Sequence, residues 1–225
     1  MAANGFNPTL FEEGLGALSI AASIVTSPLS RPWYSKWGAA TAEENLSLPG
    51  DELVPNPALI ANRAITIQAP ADAIWPWLLQ LGQGRGGFYS YQRLENLVGC
   101  DIHNADQIVP ELQELKVGDL VRLGPEGMPA FSVAAIESGS ALILRGDMPG
   151  PTNGKPTTWI WIFYLAPIDK ATTRLILRTR LDYASSFGNT LMWRVFTDPI
   201  SFNMERKMLQ GIKARAEAKD QVRDS

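Results

Sequence analysis

The pattern of apolar and polar positions changes at about residue 60. Residues 9–26 are rich in Ala, Leu and Ile and predict a helix that ends at Ser27-Pro28. Residues 28–59 contain seven prolines and glycines, which predicts an extended or turning arm. We therefore interpret residues 1–60 as an N-terminal helix and arm, and residues 61–225 as the main domain. Three aromatic residues indicate that the arm packs on that domain: Trp33, Tyr34 and Trp37.

The main domain begins with one strand and two short helices. Strict alternation predicts a strand at 63–68, and apolar residues at helical spacing predict helices at 70–81 and 89–98. In the second helix, Leu94 and Leu97 are expected on the buried side. Five more strands follow, at 118–123, 130–137, 140–146, 157–166 and 172–182. Because no crossover helix fits between these strands, we expect antiparallel neighbours.

The last segment predicts a long helix from Asp198 to about Lys219. Asp198 and Pro199 are a typical pair for the N-cap and first turn of a helix. Its apolar stripe consists of Ile200, Met204, Met208, Leu209 and Ile212.

Strand 157–166 is apolar on both faces, so both faces should be covered. One face can lie beneath the C-terminal helix. The N-terminal arm is our expected cover for the other face, and a homodimer partner is the competing explanation. In strand 172–182, by contrast, Arg174, Arg178 and Arg180 predict a face that is mostly in water.

The order of elements resembles the SRPBCC superfamily, the START-like helix-grip proteins, over about residues 60–220. The opening Arg63-Ala-Ile-Thr-Ile-Gln-Ala-Pro-Ala-Asp-Ala-Ile-Trp-Pro-Trp-Leu is similar to that family's strand, Pro turn and Trp-containing helix. The segments Leu81-Gly-Gln-Gly-Arg, Asp101-Ile-His-Asn and Met204-Glu-Arg-Lys resemble an uncharacterised bacterial branch. The resemblance implies an α+β helix-grip fold. In it, a curved antiparallel sheet of six or more strands surrounds a long C-terminal helix, with two short helices after the first strand.

The aromatic strand and the methionines of the last helix raise the question of a cavity. From the residues alone, a filled core is favoured, because such stripes are mostly packing. The resemblance favours a cavity, since helix-grip proteins commonly leave a gap between sheet and helix. We expect a volume of about 300–1,000 Å³. Some of the expected ligand-binding residues lie on a loop at the mouth of the cavity. The full set is Arg85, Phe88, Tyr89, Tyr91, Trp159, Trp161, Phe163, Met204 and Met208.

Composition excludes several classes of function. A net charge of −3 gives no basic field for nucleic acid. The single cysteine, Cys100, excludes an intrachain disulfide, and the single histidine, His103, excludes multi-histidine metal sites. We expect no metal and no cofactor. The longest apolar stretch, residues 14–25, is about half of the ~20 residues that span a bilayer, so we expect no membrane span and a cytoplasmic location.

Two local patterns have a functional and a structural interpretation. Gly82, Gly84 and Gly87 match the spacing of a dinucleotide-binding fingerprint, but the required parallel βαβ context is missing. A loop at the cavity mouth, with Arg85 as an anion contact, and a plain turn between helices both stay open. The second pattern is the polar cluster Asp101, His103, Asn104 and Asp106, which suits a general base, a weak metal site or a self-capping turn.

The sequence supports two main functions. The leading hypothesis is binding of a small hydrophobic or aromatic molecule, such as a lipid or a polyketide-like metabolite, in the cavity. The alternative is an enzyme of the polyketide cyclase or dehydratase type that uses the same cavity. No motif of known cyclases matches, so whether the protein is an enzyme stays open. The candidate catalytic residues are Asp101, His103, Asp106, Tyr89 and Arg145.

Overall fold

The structure is a computed structural model that describes residues 10–149 and 155–223, the last five by backbone alone. Short 3₁₀ turns lie at Asp51–Leu53 and Pro110–Leu112. The helices are α1 (Leu10–Tyr34), α2 (Thr41–Glu44), α3 (Ala71–Leu79), α4 (Gln92–Leu97), α5 (Phe187–Leu191) and α6 (Asp198–Arg223). The strands are β1 (Leu59–Ile67), β2 (Leu120–Arg122), β3 (Ala130–Glu137), β4 (Ala141–Met148), β5 (Thr157–Pro167) and β6 (Thr173–Asp182).

The six strands form one curved sheet in the order β1-β6-β5-β4-β3-β2. All neighbouring strands are antiparallel, and the register of β3 against β4 shifts between Val133 and Ala135. Such a bulge bends a strand and increases its twist. With α3 and α4 after the first strand and a long C-terminal helix, the predicted α+β fold class is confirmed.

The C-terminal helix begins earlier than predicted. Ser186 caps α5, because its Oγ accepts the N–H of Asn189 at 3.1 Å. A π-helical segment, Met192–Thr197, then joins α5 to α6 without a break. Asp198 is therefore inside the helix and is no N-cap. The π-helical segment ends two residues before Pro199. Because proline has no backbone N–H, Pro199 cannot donate to the carbonyl oxygen four residues earlier, and the wider π turn lies at this point.

Helix α1 also runs further than predicted, through Pro28 to Tyr34. Proline usually ends a helix, but here contacts with residues far along the chain hold the last turns of α1 in place. Ser27 Oγ donates to the carbonyl oxygen of Arg194 at 2.8 Å, and the ring of Tyr34 stacks on Phe202 with centroids 5.3 Å apart. These contacts compensate for the backbone hydrogen bonds that proline removes.

Apolar layers cover both faces of the sheet, as the pattern of β5 requires. On one face, Trp161 and Phe163 join the core beneath α3 and α6. On the other face, Ile162 packs in a second cluster with Leu48 and Val54 of the N-terminal arm. The arm thus covers this face in the protein itself. Its aromatic residues lie elsewhere: Tyr34 is buried, Trp37 packs against the first core, and Trp33 is exposed.

The outer face of β6 is dry, which corrects the prediction of a wet face. Arg178 is only 1% exposed. Its guanidinium donates to Asn62 Oδ1 at 2.6 Å, to Asp51 Oδ2 at 2.5 Å and to the carbonyl oxygens of Leu46 and Glu43 at 2.7 and 2.8 Å. An arginine has five donors, and three of these four acceptors belong to the arm. The strand pattern alone contains no sign of these distant acceptors.

Candidate functional site

A cavity of about 160 Å³ lies between the sheet and α6. It is smaller than predicted because aromatic rings fill part of the space. Phe131 stacks on Trp161 with centroids 4.8 Å apart and meets Trp159 edge-on at 5.3 Å. The cavity is lined by Phe88, Ser90, Glu95, Leu123, Trp159, Trp161, Ile200, Ser201, Met204, Glu205 and Met208.

Five of the nine residues predicted from the sequence meet at this cavity: Phe88, Trp159, Trp161, Met204 and Met208. Strand β5 contributes the two tryptophans and α6 contributes the two methionines. Phe163 does not line the cavity and is fully buried in the core. Tyr91 does not line it either, since its ring lies against Gly16 of α1. Of the three aromatic residues predicted on this face of β5, two therefore line the cavity.

The remaining two predicted residues, Arg85 and Tyr89, have structural contacts away from the cavity. Arg85 Nη2 donates to the carbonyl oxygens of Leu79 and Leu112, each at 2.8 Å, and burial lowers its pKa. Arg85 does not line the cavity, and its buried Nε has no hydrogen-bond partner among the described residues. The Tyr89 hydroxyl donates to the carbonyl oxygen of Trp77 at 3.1 Å, and burial raises the pKa of this buried tyrosine well above its ordinary value.

The polar side chains of the cluster at residues 101–106 contact each other and other segments of the chain. His103 Nε2 lies 2.8 Å from Asp101 Oδ1, and both side chains are at least three-quarters exposed, at 75% and 79%. Asp106 pairs with Arg215 at 3.3 Å. Asn104 Oδ1 accepts the backbone N–H groups at positions 88 and 89, directly after the glycine-rich turn. None of these side chains lines the cavity.

The glycine-rich segment and Arg145, which are the other two candidates from the sequence, also make local contacts. The backbones of Gly82 and Gly87 exchange two hydrogen bonds, at 3.0 and 3.1 Å, so the glycine-rich segment closes on itself as a tight turn. Gly87 has a φ of +74°, which explains why a residue without Cβ is needed there. Arg145 Nε donates to Asp147 at 2.8 Å on β4, and this hydrogen bond raises the pKa of Arg145.

The polar group that distinguishes the cavity is the carboxyl group of Glu95 on α4. Its Oε1 accepts a hydrogen bond from Ser90 Oγ at 2.7 Å. Its Oε2 is buried and has no hydrogen-bond partner within the described part of the chain. Burial raises the pKa of Glu95 to about 7, and the nearby charge of Glu13 contributes in the same direction. Trp159 Nε1 is a second buried polar atom without a partner among the described residues.

A second carboxyl group, that of Glu205, holds one wall of the cavity in place. Its Oε1 accepts the indole N–H of Trp161 at 3.1 Å, and its Oε2 pairs with buried Arg63. Arg63 also pairs with Asp198 at 3.2 Å. Burial raises the pKa of Glu205, while the charge of Arg63 opposes this shift. The network fixes the tryptophan ring and leaves Glu95 as the carboxyl group with an unpaired oxygen at the cavity.

Sequence reasoning missed both acidic residues. Glu205 was recognisable, because it lies between Met204 and Met208 within the apolar stripe of a buried helix. Glu95 was harder to find, since the pattern of α4 was read with Leu97 on the buried side. In the structure Leu97 is exposed, and the helix turns Glu95 inward. The other lining residues that were missed are Ser90, Leu123, Ile200 and Ser201.

Comparisons with known proteins show the fold alone. No family model matches the sequence, and no curated protein matches it. A hypothetical protein from Helicobacter pylori of known structure is 12% identical, with a TM-score of 0.52, covering 79% of this chain and 99% of that one. Two further structures have lower TM-scores. A Nitrosospira multiformis protein is 13% identical, at a TM-score of 0.44, over 72% of this chain and 99% of that one. Norcoclaurine synthase from Thalictrum flavum, a point mutant with a transition-state analogue, is 11% identical, at 0.40, over 72% and 96%. The fold is consistent with the resemblance to SRPBCC proteins.

Proposed function

We propose that the protein binds one small, largely apolar molecule in the cavity between β5 and α6, and that Glu95 recognises a polar group on it. The observation that carries this proposal is the buried Oε2 atom of Glu95, which has no partner in the described residues. Leaving a buried polar atom unpaired costs about 1–3 kcal/mol. A ligand that supplies a hydrogen bond to this atom recovers that free energy.

The volume of the cavity limits the size of the ligand. An apolar protein cavity of about 150 Å³ holds one benzene molecule. A cavity of about 160 Å³ therefore fits a single ring or a short branched chain. This class is narrower than the lipid or polyketide-like metabolite that the sequence suggested. The aromatic faces of Phe88 and Trp161 suit a flat ring, and the flexible thioethers of Met204 and Met208 adapt to its substituents.

The two unpaired atoms define the polar part of the ligand. Trp159 Nε1 can only donate a hydrogen bond, whereas Glu95 accepts when ionised and donates when protonated. A hydroxyl group can accept from the indole and donate to the carboxylate. The ligand class that best matches the cavity is a phenol or a small alcohol with an apolar body.

Calorimetry with phenol, benzyl alcohol and toluene tests this proposal. We expect wild type to bind phenol more tightly than toluene. Glu95→Leu should remove that preference, because the lost charge-assisted hydrogen bond is worth about 1.5–3 kcal/mol, or more than tenfold in Kd. Exposed Glu126→Leu is the matched control and should bind as wild type does. The proposal is wrong if no single-ring compound binds, or if Glu95→Leu still prefers phenol.

The pKa of Glu95 also favours a second candidate function, proton transfer of the dehydratase or cyclase type. A carboxyl group with a pKa of about 7 exchanges its proton near neutral pH, as a general acid or base must. For this second function the candidate catalytic residue is Glu95, in place of the residues of the exposed loop at 101–106. Incubation with a small β-hydroxyketone tests this role. Wild type should release water from it, and Glu95→Gln should bind it without turnover; a wild-type rate equal to that of buffer would exclude this chemistry.

A further inference from the structure

The N-terminal helix α1 has its apolar side outward, the reverse of a helix on a water-soluble domain. Leu18, Val25 and Leu29 on the outer side are 69%, 81% and 88% exposed. The side that faces the domain carries small and polar residues at spacings of three or four. These inward residues are Glu13, Gly16, Ser19, Ser23 and Ser27.

The inward side of α1 is bonded to the C-terminal helix. Ser19 Oγ donates to Asn203 Oδ1 at 2.6 Å, and Asn203 Nδ2 donates to Ser23 Oγ at 3.0 Å. Near the end of α1, Arg31 pairs with Asp198 at 3.1 Å. Small residues and hydrogen bonds between helices are typical of helix packing where lipid surrounds the outer faces. These contacts also keep α1 lying along the domain.

The outer side is uncharged over a long distance. No charged residue occurs between Glu13 and Arg31. Helix α1 has 25 residues, which corresponds to about 37 Å. It is the one helix in the described ranges that is long and apolar enough to cross a membrane. Exposed Phe11 and Trp33 lie near its two ends, and aromatic rings are favoured at the level of lipid headgroups.

A basic site follows at the C-terminal end of α1. Arg31, Lys36 and Arg194 line a polar cavity of about 310 Å³, together with the single acidic residue Glu44. Lys36 pairs with Glu44 and Arg31 with Asp198, so the excess positive charge is that of Arg194, which donates to the carbonyl oxygen of Ala58 at 2.9 Å. Anionic lipid headgroups have the complementary charge, and each basic residue near such a surface contributes about 1 kcal/mol of attraction.

We propose that α1 lies in the plane of a lipid bilayer interface, with its outer side among the upper acyl chains and the basic cavity on anionic headgroups. A bilayer fits this surface better than a protein does. Protein interfaces carry a polar rim and many hydrogen bonds, whereas the outer side of α1 between Glu13 and Arg31 offers neither charge nor amide side chains. The adjoining segment 187–197, which contacts α1, adds exposed Phe187, Met192 and Phe196.

Vesicle flotation of the full chain tests the proposal. Wild type should float with phosphatidylcholine vesicles, and more strongly when phosphatidylglycerol is added. The triple variant Leu18→Ser, Val25→Ser and Leu29→Ser should lose binding, by about tenfold in the partition coefficient for each side chain. The matched control changes three other apolar residues that are more than half exposed, and it should float as wild type does. These are Val117→Ser, Leu120→Ser and Ile168→Ser.

Three outcomes would overturn the proposal. Wild type that stays at the bottom of the gradient with both lipids excludes the bilayer. Equal flotation of the α1 variant and wild type excludes α1 as the contact. Sedimentation velocity that shows a dimer, dissociated by the α1 substitutions in the absence of lipid binding, assigns the surface to a second copy of the chain. Circular dichroism of both triple variants controls for folding, since all six side chains are exposed.

Discussion

Replacing Glu95 with glutamine should change how the stability of the protein depends on pH. The pKa of Glu95 rises from 4.5 to about 7 on folding, because burial disfavours the carboxylate. Between these two pH values the folded protein holds a proton that the unfolded chain has lost. The free energy of unfolding contributed by this group therefore falls as the pH rises through the window, and it is constant above and below it.

The size of the effect follows from the shift in pKa. Each unit of difference between the folded and the unfolded pKa corresponds to about 1.4 kcal/mol. The free energy of unfolding therefore changes by about 3 kcal/mol across the full window. The amide side chain that replaces the carboxyl group in the variant cannot titrate, but its oxygen can still accept the Ser90 hydroxyl. Relative to wild type, Glu95→Gln should therefore gain about 3 kcal/mol of stability between pH 4 and pH 8.

Urea unfolding followed by tryptophan fluorescence at pH 4, 5, 6, 7 and 8 measures this difference. The pKa of buried Glu205 is also raised, but its contribution is present in both proteins and cancels in the comparison. Exposed Glu126→Gln is the control and should give a flat difference curve. A flat curve for Glu95→Gln as well would mean that the carboxyl group is hydrated or paired, and would remove the basis for ligand recognition.

Three other substitutions test the scaffold by urea unfolding at pH 7. Arg63→Met should cost about 3–5 kcal/mol, because it leaves two buried carboxylates without their shared cation; a loss under 1 kcal/mol would contradict this. Gly211→Ala should cost about 1–3 kcal/mol, since the new methyl group meets the backbone of Tyr89. Gly14→Ala, its control with open space around it, should instead gain about 0.5–1 kcal/mol. His103→Ala should change stability by less than about 0.5 kcal/mol, because its contact with Asp101 is exposed.

The sheet could be predicted because its signals are local. Alternation in β5 and β6 and the turn residues between strands give the strand positions to within a few residues. Antiparallel pairing follows from the short connections. The apolar stripe of the last segment likewise predicted the long C-terminal helix, because its period is also local. The place of that helix against the sheet came from the resemblance.

The errors occurred where distant contacts override a local rule. Pro28 does not end α1, because contacts with Arg194 and Phe202 hold its last turns. Asp198 is not an N-cap, because a π-helical segment joins α6 to the preceding helix α5. Arg178 is buried because carbonyl groups of the arm satisfy it. The buried Oε2 atom of Glu95, which has no partner among the described residues, is likewise a product of tertiary packing. Its burial depends on the direction in which a six-residue helix turns, and a short pattern does not determine that.

The N-terminal helix is also part of how the cavity is built, through Glu13. Its buried carboxylate accepts the backbone N–H groups of Arg93 and Leu94 at 3.1 and 3.3 Å, in the first turn of α4. Helix α4 has six residues, too few to be stable on its own, so this bond from α1 helps to fix its position. The same charge contributes to the raised pKa of Glu95. A movement of α1 on the domain would therefore alter both the placement and the protonation of the Glu95 carboxyl group at the cavity.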